Sequence, residues 1–267
     1  MGDVYFGPSV VVGIDGSKAA VHAAVWAIDE AVSRDIPLRL VYVIDPRDLG
    51  GAEADHSTFG VARAALHEAL RAVEASGAQL KVDTDVVTGH PVTKLAEESR
   101  WASMVCVGSI GVKHACRGLG SVAAALVDLA CCPVAVIDQA AHRTRTPNAG
   151  IVAEVDNGVV LRHAFEEARL RGAPLRIVSC RRAEPRANAD TSRLMHAHLN
   201  RRIAPWVRRY PEVPVETVVV NGSVCRYLAA HPESVQLFVS GPRGHQCDVV
   251  RPDLVDCSLL SVPGSRL

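Results

Sequence analysis

The chain has 267 residues, 22% of them charged, and its 29 basic and 29 acidic side chains leave a formal net charge of zero. That length suits two domains of about 130 residues better than one, and the balance of charge supplies no long-range field to recruit nucleic acid or an anionic membrane surface. No segment approaches the roughly 20 apolar residues that span a bilayer, and Met1-Gly2-Asp3 with the short run Val10 to Ile14 lacks the basic start and apolar length of a secretory signal, so a cytoplasmic protein is expected.

Short runs of Val, Ile and Leu bounded by turn residues alternate with longer helical patterns, which predicts parallel strands covered on both faces. The first half is expected to place strands near 10–14, 38–43, 82–87, 104–107 and 133–137. Helices fall near 18–33, 59–76, 92–100 and 120–130, with Pro91 and Ser121 as first-turn residues. Trp26 reads as core packing on the first helix, and Asp29-Glu30 and Glu97-Glu98 as solvated faces. Asp45 to Ser57, which contains Gly50-Gly51, reads as a mobile loop, and Gln139 to Gly150 as a linker without apolar periodicity.

The second half repeats the first. Val10-Val-Val-Gly-Ile-Asp15-Gly-Ser and Ile151-Val-Ala-Glu-Val-Asp156-Asn-Gly both end an apolar run with an aspartate and turn residues. His22-Ala23 and His163-Ala164 follow on the next helix, and Pro37-Leu38-Arg39 and Pro174-Leu175-Arg176 open the next strand. Gly89 and Gly222 each stand six residues before a leucine, Leu95 or Leu228, and thirteen residues further lies Gly108 or Gly241, which opens a G-x-x-G. Offsets matched over several elements indicate an internal duplication. The expected fold class is α/β: two tandem doubly wound parallel-sheet domains of Rossmann-like type, residues 1–138 and 151–267 joined by a linker at 139–150, the second truncated.

The chemistry concentrates in one loop. Gly108-Ser109-Ile110-Gly111, eight residues, then Gly120-Ser121-Val122 follow the buried-type run Met104 to Val107. Glycines there allow a tight turn that presents backbone N–H groups to an anion, and a helix beginning near Ser121 points its positive end at the same spot. Lys113 and Arg117 add nearby cations, and His114 reads as a solvated loop residue. The eight cysteines contain no C-x-x-C pair, so Cys106, Cys180 and Cys257 read as reduced structural thiols, with Cys116 the one whose oxidation would touch the loop. His196 and His198 lie two apart on a helical pattern, facing different ways, and no ligand set for a metal emerges.

Taken together, Val11-Val12-Gly13-Ile14-Asp15-Gly16-Ser17, Val43-Ile44-Asp45, Gly89-His90-Pro91, the glycine loop and Cys132-Pro133-Val134-Ala135-Val136 resemble the universal stress protein family, in tandem form and in its nucleotide-binding branch. That branch has nine residues between G-x-x-G and G-S/T; this chain has eight. The resemblance implies a five-stranded parallel sheet that holds ATP, with Mg2+ as its companion, beyond the strand C-termini. It implies that Asp15 faces the adenosine end, that Val43 lines the adenine pocket, that Gly108, Gly111, Gly120, Ser121 and Val122 surround ribose and phosphates, and that Gly13 is a further nucleotide-binding residue. Pairing of the terminal strands Pro133 to Ile137 and Ser258 to Val262 within the chain, and a homodimer, are what the family implies for assembly.

In the second half Gly241-Pro242-Arg243-Gly244 has no following Gly-Ser, and twelve residues separate Gly244 from Cys257 where twenty separate Gly111 from Cys132. A shortened or absent fourth helix is expected there, with Glu154 in the place of Gly13, Asp156 as a cap, and a degenerate site. No G-x-S-x-G, Walker lysine or H-x-G-H is present, so no catalytic residue is assigned. The function expected is an ATP-binding regulator of stress or dormancy that acts on an unidentified protein partner through nucleotide occupancy. A nucleotide-independent interaction module, and a weak ATPase or nucleotidyl transferase, are the alternatives.

Overall fold

A computed structural model describes residues 7–49, 52–109, 120–138, 149–154, 158–181, 189–241 and 257–264. The chain divides into two compact units, Met1–Gln139 and Ala140–Leu267. Each is a parallel sheet with crossover helices.

In the first unit the strands are β1 (Val10–Ile14), β2 (Leu38–Ile44), β3 (Val82–Thr88), β4 (Met104–Gly108) and β5 (Val134–Ile137), in the order β3-β2-β1-β4-β5. The helices are α1 (Lys18–Arg34), α2 (Ala52–Glu74), α3 (Pro91–Glu98) and α4 (Ser121–Leu129). β1 pairs with β2 from Val10↔Leu38 to Ile14↔Tyr42 and with β4 from Val10↔Met104 to Val12↔Cys106. Because crossovers are right-handed, the reversal of direction at β1 puts α1 and α2 on one face and α3 and α4 on the other; α1 packs on α2, and α3 on α4. Strands covered on both sides must be apolar throughout, and Val10, Val11, Val12, Met104, Val105 and Cys106 are wholly buried. The edge strand β3 is half exposed and carries Asp83 and Asp85, charges that discourage a further strand from pairing there.

Helix α1 is capped by the Ser17 side chain and lays six alanines, Ala19, Ala20, Ala23, Ala24, Ala27 and Ala31, with Trp26 into the core. It stops where Asp35 turns left-handed at φ 52°, two residues before Pro37. Glu30, expected to be solvated, is fully buried and paired with Arg34 one turn later. Glu98 likewise accepts from Arg39 Nη1 at 2.7 Å, whereas Asp29 and Glu97 are exposed as expected. The supposed loop from Asp45 to Ser57 is also corrected: Pro46–Asp48 form a 3-10 turn, and α2 begins at Ala52. Ala52-Glu53-Ala54-Asp55 contain no helix breaker, so the helix extends back to Ala52.

In the second unit, β6 (Gly150–Glu154), β7 (Leu175–Arg181), β8 (Val215–Asn221), β9 (Val235–Ser240) and β10 (Ser258–Ser261) take the order β10-β9-β6-β7-β8, the same topology as the first. Its helices are α5 (Gly158–Leu170), α6 (Ala189–Arg209) and α7 (Val224–Ala230). α5 has 13 residues against 17 in α1, one helical turn fewer. A buried Glu167–Arg171 pair at 3.0 Å nevertheless keeps the place that Glu30–Arg34 holds before the next strand. Phe165 of α5 stacks on Trp206 of α6 and on Tyr210 just past its end, at 6.1 and 5.5 Å between centroids. Among the described residues six cysteines form no disulfide; Cys106, Cys132 and Cys225 are buried and Cys131 is exposed, while Cys116 lies outside the described residues. Among the described residues no helix is long and apolar enough to cross a membrane.

Candidate functional site

At the carboxyl ends of β1 and β4 the chain leaves in opposite directions, and a crevice opens where the two neighbouring strands diverge to different faces. A cavity of about 410 Å³ lies there. Gly13 and Asp15 of the β1 end, Val43 of β2, Gly108 of β4, and Gly120, Ser121 and Val122 at the start of α4 all line it. Residues more than a hundred apart in sequence are thus brought together. Gly111, with Lys113, His114, Cys116 and Arg117, lies in the segment 110–119, outside the described residues.

The β1 turn is built by its own side chains. Asp15 Oδ1 accepts from the Ser17 amide at 2.9 Å, and Ser17 Oγ accepts from the Ala20 amide at 3.1 Å. Asp15 therefore shapes the turn while remaining exposed at the cavity.

Gly108 has a second duty that its sequence context conceals. A Cβ on it would lie 2.7 Å from the Ala19 carbonyl carbon and Cβ and 2.8 Å from the Ala20 nitrogen, so only glycine lets the first turn of α1 rest on β4. Ser109 then donates its amide to Ile137 O at 2.9 Å and its hydroxyl to Asp138 Oδ2 at 3.2 Å, which anchors the strand end beside β5. The Gly120 amide donates to Ser109 O at 2.7 Å, so the two described ends of the 110–119 segment are joined by a hydrogen bond. Gly120 is the N-cap of α4 and has no side chain to satisfy it. The amides of Ser121, Val122 and Ala123 have no acceptor one turn back within their helix and form the positive end of its dipole. The arrangement can receive an anion.

The opposite side of the cavity is apolar, lined by Val41, Val43, Pro91, Val92 and Leu95. Its rim contains residues that sequence reasoning did not assign to the site: Asp45, Arg47 and His90. Asp45 caps the 3-10 turn, its Oδ1 accepting from the Arg47 amide and Nε at 3.0 Å each and its Oδ2 from Nη2 at 2.6 Å. Hydrogen bonds and charge from Arg47, with a smaller contribution from His90, hold the Asp45 carboxyl well below the usual carboxylate range. Asp-Pro-Arg-Asp directly after an apolar strand is a cap-and-turn signal that would have located this rim. Gly89 sits at φ +152°, the backbone reversal that brings His90 and Pro91 round to the cavity.

The model of the universal stress protein family matches residues 8–138. A universal stress protein of Mycobacterium tuberculosis is 53% identical over 264 residues, covering 97% of each chain. The chain belongs to the universal stress protein family. A second universal stress protein of the same organism is 44% identical over 239 residues, 87% of this chain and 85% of that one. The crystal structure of a universal stress protein from Archaeoglobus fulgidus superposes over 98% of both chains with a TM-score of 0.67 at 17% identity, a likeness of fold.

Among the described residues, the second unit of this universal stress protein differs from the first at one lining position. Glu154 pairs with Val178 in the register in which Gly13 pairs with Val41, so a carboxylate occupies the position of Gly13. In the first unit even a Cβ at that point would approach Leu95 to 3.0 Å and Val107 to 3.2 Å. Asp156, Pro242-Arg243-Gly244 and the stretch where the fourth helix is expected to shorten fall within 155–157 and 242–256, outside the described residues.

Proposed function

We propose that the first unit binds an adenine nucleotide and that occupancy regulates an interaction with another protein. The observation that carries this is the two-ended cavity: an apolar end at Val41, Val43, Pro91 and Leu95, and an amide end at the uncapped start of α4. A flat heteroaromatic base suits the first and a phosphate the second. Gly13, Asp15, Val43, Gly108, Gly120, Ser121 and Val122 are the residues we assign to it, with Gly111 added from the glycine loop. A triphosphate brings Mg2+, and Asp15 and Ser121 are among the oxygen donors available to it. We place the site in Met1–Gln139 alone, because Glu154 sets a negative charge where the second unit would need room and amides.

Binding couples to shape where the described ends of the glycine loop, Ser109 and Gly120, meet beside the cavity: a ligand that favours one arrangement of the site over another shifts the population of the surface a partner reads. Equilibrium dialysis of the pure protein with labelled ATP and AMP, with and without Mg2+, tests the proposal. Retention lost in Ser121→Pro and Val43→Glu is expected. No retention of either nucleotide by the native chain overturns it and leaves the nucleotide-independent interaction module. Phosphate release that survives both substitutions is contamination rather than a weak ATPase.

A further inference from the structure

The zero net charge of the whole chain hides a separation of charge between its units. Met1–Gln139 contains 11 basic and 17 acidic side chains, and Ala140–Leu267 contains 18 and 12. Much of the positive excess sits on α6. Arg193, Arg201, Arg202, Arg208 and Arg209 are all exposed, and no Asp or Glu occurs between Asp190 and Glu212. The opposite side of this helix supplies Leu199 and Ile203 to the core, with Tyr210 directly after its end, which fixes the direction in which the arginines project. Leu194, Arg201 and Arg208 recur every seven residues and so lie along one line of the solvent face, with Arg202 and Arg209 alongside. Arg209 and Arg169 of α5 both lie over the Tyr210 ring, at 5.7 and 5.6 Å, so this end of the cationic stripe rests on a rigid aromatic base. By contrast α2, the corresponding helix of the first unit, carries four acidic and two basic residues.

We propose that the outer face of α6 is a docking surface for an acidic amphipathic segment of a partner protein. Two observations favour a protein over a nucleic acid. Leu194 is 71% exposed on the same line as Arg201 and Arg208, and an apolar side chain gains nothing from a phosphate backbone but buries well against a partner's leucine. The outward line Leu194, Arg201, Arg208 carries no aromatic residue on which a base could stack. Arginine is also the cation suited to fork-like pairing with carboxylates, and interfaces are enriched in it. The surface belongs to the second unit and does not depend on the nucleotide proposal.

The test is fluorescence anisotropy of the full chain at low salt with a labelled helical peptide of about 20 residues, the length of α6, bearing glutamates along one face and leucines beside them. Parallel probes are the same peptide with serine for leucine, and a DNA duplex of similar charge. The leucine-bearing peptide is expected to bind tightest, and Arg201→Glu/Arg208→Glu to weaken it about tenfold or more through like-charge repulsion. Arg201→Gln/Arg208→Gln is the milder variant, expected to lose several-fold, and Leu194→Ser is expected to erase the advantage of the leucines. No binding of the leucine peptide, equal binding by the charge-reversed variant, or tighter binding of the duplex overturns the proposal. So does salt-sensitive self-association in sedimentation that the same variants abolish, because the occupant is then a second copy of the chain.

Discussion

Substituting Gly108 isolates its packing role in the scaffold from its place at the cavity. In Gly108→Ala the new methyl would stand 2.7–2.8 Å from backbone atoms of Ala19 and from Ala20 N, and backbone cannot swing aside as a side-chain tip can. Overpacking of this kind costs about 1–3 kcal/mol, and contact with two successive residues of α1 places it near the upper end. The alanine recovers about 0.5–1 kcal/mol by restricting the unfolded chain, which leaves a net loss of about 2 kcal/mol. Amide hydrogen exchange read by mass spectrometry over α1 and β4 measures this unit by unit, where a single melting curve of two units would not. Protection there is expected to fall about 30-fold, at 1.4 kcal/mol per factor of ten, with peptides from α6 and β7 unchanged. Gly60→Ala is the control: nothing lies within 4 Å of its Cβ in α2, so it is expected to stabilise by about 0.5–1 kcal/mol. Undiminished α1 protection in Gly108→Ala would refute the argument and return Gly108 to a purely ligand-facing role.

Arg34→Met strands the buried Glu30 carboxylate and is expected to cost about 3 kcal/mol in urea denaturation, whereas Glu30→Leu/Arg34→Met together should regain most of it; an equal loss in both would contradict the pairing. The Asp45 carboxyl, depressed by Arg47, contributes stability above the unfolded carboxylate value of about 3.9 that is lost only as pH falls through its lower folded value. A carbon-13 carboxyl titration should therefore show Asp45 still ionised at pH 4, and a midpoint at the ordinary aspartate value would remove Arg47 from the rim. In a Cys116→Ser/Cys247→Ser background, a disulfide reagent at pH 8 should modify Cys131 in the folded protein. Cys132, whose thiol burial pushes up to about 12, should react only on unfolding. Labelling of Cys132 at the rate of Cys131 would show that its site is open.

The amino-acid sequence by itself determined the repeat, the parallel α/β class and the first-unit strands to within about a residue, because those follow from local patterns: apolar runs such as Val10 to Ile14, and turn residues at their ends. The loop residues Gly108, Gly111, Gly120, Ser121 and Val122 are legible in it as glycines and a helix start beside a strand end, whereas Gly13, Asp15 and Val43 come from the family resemblance; the structure places all of these but Gly111, which lies outside the described residues, around one cavity. Only the tertiary structure decided that Glu30 is buried, because its partner Arg34 and the sheet beneath exclude water that the residue's charge alone would invite. It decided too that Gly108 is demanded by α1, and that Arg47 closes back on Asp45 at the rim. Above all it divided a neutral chain into an acidic unit and a basic one and turned the arginines of α6 outward. Composition sums charge over the whole chain, whereas a fold assigns each charge a unit and a face.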